Sequence, residues 1–155
     1  YDGDTMESVV LDLLRSRGFT IGVAESVTGG LVAGRLTATP GSSDVMRGGV
    51  VAYASDVKFD VLDVPRGPVI SEDTARAMAV GVCKTVGSSV GLALTGVAGP
   101  AEQEGAKVGT LCIAVAMPSG VTSSTTVMLP GDRKTMRELA VISALNYLRQ
   151  LLLRP

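Results

Sequence analysis

Two apolar runs, residues 90–94 (Val-Gly-Leu-Ala-Leu) and 108–116, limit the possible folds more than any other feature of this chain. Runs without polar alternation belong to central strands covered on both faces, so the rest of the chain must supply helices for two sides of one sheet. The flanking segments meet that demand. Met6, Val9, Val10, Leu13 and Leu14 recur at helical spacing over residues 5–17, and Gly18 stands where a helix would end. Residues 19–25 read as a strand, 28–37 as a helix stopped by Pro40-Gly41, and 48–53 as a second strand. Ser55 is placed to N-cap a short helix containing Val57, Phe59 and Leu62, and 65–68 reads as a loop. Ser71, with Glu72 and Asp73 after it, starts a further helix whose stripe is Ala75, Met78, Ala79, Val82 and Val86. Residues 121–129 alternate Ser and Thr as an edge strand does. Asp132 caps a last helix with Met136, Leu139, Ala140, Ser143 and Tyr147 on one face. Alternating helices and strands predict a three-layer α/β/α sandwich with a mixed, mostly parallel sheet and an antiparallel edge hairpin. At 155 residues, with no internal repeat or linker, this is one domain over 1–155.

Residues 24–30, Ala-Glu-Ser-Val-Thr-Gly-Gly, carry the first chemical signal. Ser26 falls where a strand meets a helix N-terminus, and the N–H groups of Thr28, Gly29 and Gly30 are available there to an anion or a developing oxyanion. Ser and Thr are also the preferred N-caps, and Gly-Gly is ordinary turn chemistry. By itself the motif reads equally as a catalytic or ligand-binding turn and as a plain strand-to-helix turn.

Composition narrows the partners. The chain has no histidine, which excludes a Ser-His-Asp arrangement and any zinc site built on imidazole. Cys83 and Cys112 form no CxxC pair and read as buried fillers in a reducing compartment. If a base activates Ser26, it is Lys, Tyr, Asp or Glu. The net charge of −1, few aromatics and no tryptophan give no footprint for nucleic acid. The polar start, Tyr-Asp-Gly-Asp-Thr, does not resemble a signal peptide, and no apolar stretch is long enough to span a bilayer. The expectation is a soluble cytoplasmic protein, and a start on Tyr rather than Met suggests a processed or truncated chain.

Four segments lie where a parallel sheet presents a site, at strand C-termini and the loops beyond: 24–30, 53–58, 95–100 and 131–137. Thr95-Gly96-Val97-Ala98-Gly99-Pro100 is a second glycine-containing turn after a buried strand, fit either to line a ligand or to serve as a structural loop. With Ser55 as N-cap, Lys58 would occupy a first helical turn. The dipole there disfavours a cation and moves the amine toward a usable base, although an exposed lysine is the commoner fate of the residue.

Taken in order, Ala-Glu-Ser-Val-Thr-Gly-Gly, Gly-Gly-Val-Val-Ala-Tyr with Lys58 five positions after Tyr53, Val-Ile-Ser-Glu-Asp-Thr-Ala-Arg-Ala-Met-Ala, Leu-Thr-Gly-Val-Ala-Gly-Pro, Val-Gly-Thr and Pro-Gly-Asp-Arg resemble the CinA C-terminal-domain family over nearly the whole chain. Members of known activity are nicotinamide-nucleotide amidases, which convert nicotinamide mononucleotide to nicotinic acid mononucleotide and ammonia in pyridine-nucleotide salvage. The resemblance implies Ser26 as nucleophile, Lys58 as its general base and Tyr53 as an assisting or orienting hydroxyl. It makes Thr95, Gly96 and Arg133 ligand-binding positions, with Arg137 a further candidate for the phosphate. It implies no cofactor or metal, a small-molecule nucleotide as partner, and a homodimer. Two departures stand out. Residues 101–107, Ala-Glu-Gln-Glu-Gly-Ala-Lys, replace a glycine-richer stretch, with Lys107 where relatives carry proline, and Val27 stands where relatives often have a small residue or cysteine. The first bears on specificity more than on fold. Many members fuse this domain to a second one. That leaves a non-catalytic nucleotide-binding or regulatory module, or an amidase for another small carboxamide, as alternatives.

Overall fold

The computed structural model describes residues 4–154; positions 1–3, the first part of the polar start noted above, lie outside them. The helices are α1 (Met6–Ser16), α2 (Leu31–Thr37), α3 (Ser55–Leu62), α4 (Glu72–Val86) and α5 (Arg133–Leu152). The strands are β1 (Ile21–Glu25), β2 (Met46–Val51), β3 (Val90–Gly96), β4 (Thr110–Ala116) and β5 (Thr122–Met128). They form one sheet in the order β2-β1-β3-β4-β5. β1 is parallel to both β2 and β3, and β4 is antiparallel to β3 and β5, so β4 alone runs against the rest. This is the expected mixed, mostly parallel sheet with its antiparallel hairpin at the edge.

The two faces of the sheet are built from different side chains. Ile21, Val23, Leu92, Leu94, Leu111, Ile113 and Val115 point into the core shared with α1, α2 and α5. Ala24, Ala93, Cys112, Ala114 and Ala116 point into the core shared with α3 and α4. This alternation of large and small residues follows from the two-residue period of a strand, and it lets α4 lie close to the sheet. Gly91 marks the closest approach, since a Cβ there would collide with the Ala79 carbonyl of α4.

Several boundaries shift for local reasons. Thr5 caps α1 in a reciprocal capping box with Ser8. β1 begins at Ile21 rather than residue 19, because the Thr20 amide bonds the Ser89 hydroxyl instead of a strand partner. α2 begins at Leu31 rather than residue 28, because Gly29 and Gly30 adopt φ of +59° and +104° in a turn that other residues resist. β2 runs from Met46 to Val51 rather than over 48–53, and β4 starts at Thr110 after Gly109, which has φ of +96°. Ser55 is the first residue of α3, whose N-cap is Ala54 with no side-chain cap. In α5 the buried stripe is Met136, Ala140, Val141, Ala144, Leu145 and Leu148; Leu139, Ser143 and Tyr147 flank it half-buried. Asp132 and Ser71 cap α5 and α4 through their side chains as expected. Cys83 is half-buried in α4 and Cys112 is buried in β4, both as free thiols. Among the described residues no helix is long and apolar enough to cross a membrane.

Candidate active site

β1, β2 and β3 run parallel and end on the same side of the sheet, and the chain leaving each of them enters one cavity of about 440 Å³. Ser26 follows β1 directly. Its amide donates to the Leu94 carbonyl of β3 at 3.2 Å, which extends the ladder one residue past the strand and fixes where the side chain starts. Ser26 is 8% exposed.

Lys58 comes from α3 and is among the largest fully buried side chains of the protein, at 2% exposure. It shares the buried face of α3 with Leu62, one helical turn on. Its Nζ lies 3.0 Å from Ser26 Oγ, 2.8 Å from the Ala52 carbonyl and 3.3 Å from the Tyr53 carbonyl. Burial pushes the amine below its ordinary value of 10.5, against a weaker upward pull from the Glu104 carboxylate. Its place near the start of α3 fits the expectation from spacing, but the cause of the shift is desolvation. A neutral amine has two N–H groups and one lone pair. Nζ donates to Ser26 Oγ as well as to the two carbonyls, so loss of one proton would leave two N–H groups for the Ala52 and Tyr53 carbonyls and a lone pair for the Ser26 hydroxyl.

The Thr28 hydroxyl, the Gly29 amide and the first amides of α2 serve other partners than the sequence suggests. Glu25, 1% exposed, turns its carboxylate under the turn; Oε1 accepts from Thr28 Oγ1 at 2.6 Å and from the Val32 amide at 2.8 Å, and Oε2 accepts from the Ala33 amide at 3.0 Å. The positive end of α2 therefore already has its anion, supplied from within the chain. The Gly29 amide closes the turn on the Ser26 carbonyl at 3.0 Å. Ser26 and Val27 line the cavity, whereas Thr28, Gly29 and Gly30 lie outside its lining.

Thr95 and Gly96, at the end of β3, are on the lining as expected. Thr95 is fully buried and donates its hydroxyl to the Val69 carbonyl at 2.8 Å, which fastens the loop before α4 to the sheet. Tyr53 stands at the rim, 59% exposed, so its hydroxyl accepts from Arg133 Nη2 at 2.6 Å and only its main-chain carbonyl meets Lys58. Arg133 also donates to the Gly99 carbonyl at 2.7 Å and so bridges two sides of the opening. Arg137, one turn further along α5, is off the lining and donates instead to the carbonyls of Val27 and Thr28.

Sequence reasoning missed one wall. Val69 and Ile70 line the cavity, and their amides donate to the Glu104 carboxylate at 2.8 to 3.0 Å. The unusual 101–107 stretch thus forms part of the site, with Ala101 and Gln103 also on the lining. Among the described residues no group of His, Cys, Asp and Glu could hold a metal ion. What the arrangement offers is a buried hydroxyl facing an amine stripped of solvent, at the bottom of an open pocket with an arginine at its mouth.

Comparison with known proteins gives a consistent picture. The CinA C-terminal domain matches residues 3–152. A CinA-like protein of Frankia casuarinae is 51% identical over 154 residues, and a putative competence-damage inducible protein of Desulforamulus reducens is 45% identical over 156. These alignments cover 96% and 97% of this chain but only 35% and 38% of those relatives. Among solved structures, the competence damage-inducible protein A of Klebsiella pneumoniae superposes with a TM-score of 0.91 at 30% identity, covering 95% of this chain and 94% of that one. The CihA protein of Agrobacterium tumefaciens gives 0.86 at 31%, covering 96% of each.

Proposed function

The chain belongs to the CinA C-terminal-domain family, and from that premise we propose that it is a nicotinamide-nucleotide amidase that hydrolyses nicotinamide mononucleotide through an acyl-serine. The observation that carries the reading is the buried Lys58 amine 3.0 Å from Ser26 Oγ. Neutral Lys58 takes the Ser26 proton as Oγ bonds to the carboxamide carbon, and the carbonyl π pair moves onto oxygen. The protonated lysine then returns that proton to the amide nitrogen, the C–N bond breaks and ammonia leaves. Water adds to the acyl-serine with Lys58 again as base, releasing the nicotinate nucleotide and restoring Ser26. Arg133, whose fork faces the mouth of the cavity, is the side chain suited to a nucleotide phosphate. Thr95 and Gly96 line the same cavity and supply further contacts for the substrate on this reading. The same reading carries a homodimer and a cytoplasmic location with it.

Ammonia release from nicotinamide mononucleotide, nicotinamide riboside and free nicotinamide tests the proposal. The mononucleotide should be turned over fastest. Preference for a phosphate-free carboxamide would reassign the substrate, and no release from any of the three would leave a binding module.

A further inference from the structure

Arg137 combines two observations that the hydrolytic reading leaves unused. It is a half-buried arginine with no carboxylate within ion-pair distance among the described residues, and its guanidinium is spent on main-chain oxygens of the turn that carries Ser26. Nε donates to the Val27 carbonyl and Nη2 to the Thr28 carbonyl, both at 3.1 Å. The fit is close, since a Cβ on Gly29 would come within 2.9 Å of Nη2.

A trans peptide is planar, so a carbonyl held in one direction sends the following N–H in the opposite one. Fixing the Val27 carbonyl toward α5 therefore points the Thr28 N–H away from α5. Likewise, the Ser26 carbonyl held by the Gly29 amide fixes the direction of the Val27 N–H. The N–H groups of Val27 and Thr28 have no acceptor among the described residues, although both residues are at most 5% exposed. An amide without an acceptor, on a cavity-lining residue directly after a nucleophile, is what a developing oxyanion needs. We infer that Arg137 is a positioning residue: its grip on the Thr28 carbonyl directs the Gly29 N–H onto the Ser26 carbonyl, and that carbonyl in turn aims the amide of Val27, a cavity-lining residue, as an oxyanion donor for Ser26. The Arg137 bond to the Val27 carbonyl holds the other side of the same turn. This inference rests on the serine-lysine reading above and reassigns Arg137 from the substrate phosphate to the main chain.

The test uses p-nitrophenyl acetate, an acylating probe with neither phosphate nor pyridine ring. Nitrophenolate release and the mass of acetylated Ser26 are followed in the full chain, with Ser26→Ala as blank. Arg137→Ala should acetylate Ser26 about a hundredfold more slowly, because small misplacements of catalytic groups cost that much. The pH dependence of the rate should be unchanged, because Lys58 is untouched, and methylguanidinium added to the variant should restore part of the rate. Arg137→Lys keeps the charge but cannot span two carbonyls as a fork does, so it should also be slow; it decides the matter if the alanine variant does not fold. A rate equal to wild type in either variant overturns the inference. A wild-type chain that acetylates no faster than the Ser26→Ala blank overturns the serine-lysine reading itself, and the inference with it.

Discussion

The floor and the rim of the cavity are made by opposite means. On the floor, Ser26, Lys58 and Thr95 are all at most 8% exposed, and each is tied to main chain: Ser26 and Lys58 at or just beyond the end of a parallel strand, Thr95 to the loop before α4. On the rim, Tyr53 and Arg133 are exposed and held mainly by each other and by the Gly99 carbonyl. The contrast separates two electrostatic tasks. An amine loses its proton readily only where water cannot solvate the ammonium, so the base has to be buried. A guanidinium meant for an incoming anion has to remain wet and movable, and its hydrogen bonds to neutral partners can be exchanged for stronger charge-assisted ones. On the proposed amidase reading, chemistry belongs to the floor and selection to the rim.

The largest expected effect is on the floor. Ser26→Ala should lower turnover by about four orders of magnitude or more, the scale set by loss of a nucleophile in serine hydrolases. The fold should survive, because the change removes one hydroxyl contact worth about 1 kcal/mol. Ammonia release and thermal unfolding, measured on the same sample, check both halves. Near-normal turnover would move the nucleophile elsewhere.

Lys58→Arg comes next. Arginine keeps the positive charge but does not give up a proton at ordinary pH, so a base role makes the variant nearly inactive, whereas a merely attractive cation would tolerate the change. Wild-type activity should rise with pH as Lys58 deprotonates, with the midpoint below 10.5, since burial lowers the folded value. The linkage has a definite sign. The unfolded chain keeps this proton up to about 10.5 and the folded chain releases it earlier, so Lys58 costs stability at low pH. That cost is relieved as pH rises from the folded value to 10.5. Unfolding of wild type and Lys58→Met across that range should show the pH-dependent part disappear in the variant.

How much of this was legible in the sequence follows the same division. The sheet, its helices and the strand-end position of Ser26 could be read because they depend on local period and capping. Lys58 could be placed near the site, yet its burial was missed although a signal was present: Lys58 and Leu62 are four apart, which puts the lysine on the buried face of α3. Glu25 was similarly available, a carboxylate next to Ser26 and just before a helix N-terminus that wants an anion. Contacts across long separations leave no such trace. Nothing local tells that Glu104 grips the Val69 and Ile70 amides, that Arg137 reaches Val27 across 110 positions, or that the Tyr53 hydroxyl turns outward to Arg133 while its carbonyl meets Lys58. These pairings arise only when the sheet order brings separate loops to one edge.

The smallest effect belongs to the rim, and it sharpens the comparison most. Arg133 donates to two neutral oxygens, the Gly99 carbonyl and the Tyr53 hydroxyl, and both bonds are exposed. Replacing it with alanine should therefore leave thermal stability almost unchanged, because exposed contacts of this kind contribute little. A phosphate would exchange those neutral acceptors for charged ones, and charge-assisted pairs are about twice as strong. Arg133→Ala should accordingly raise KM for the mononucleotide about tenfold to a hundredfold, a loss of about 1.4 to 2.8 kcal/mol, with kcat within a few fold and the riboside little affected. Side-by-side kinetics on the two substrates provide the check. An equal loss on both would mean that Arg133 acts by holding Tyr53 and Gly99 in place, and the division between a chemical floor and a selective rim would then fail at its outer edge.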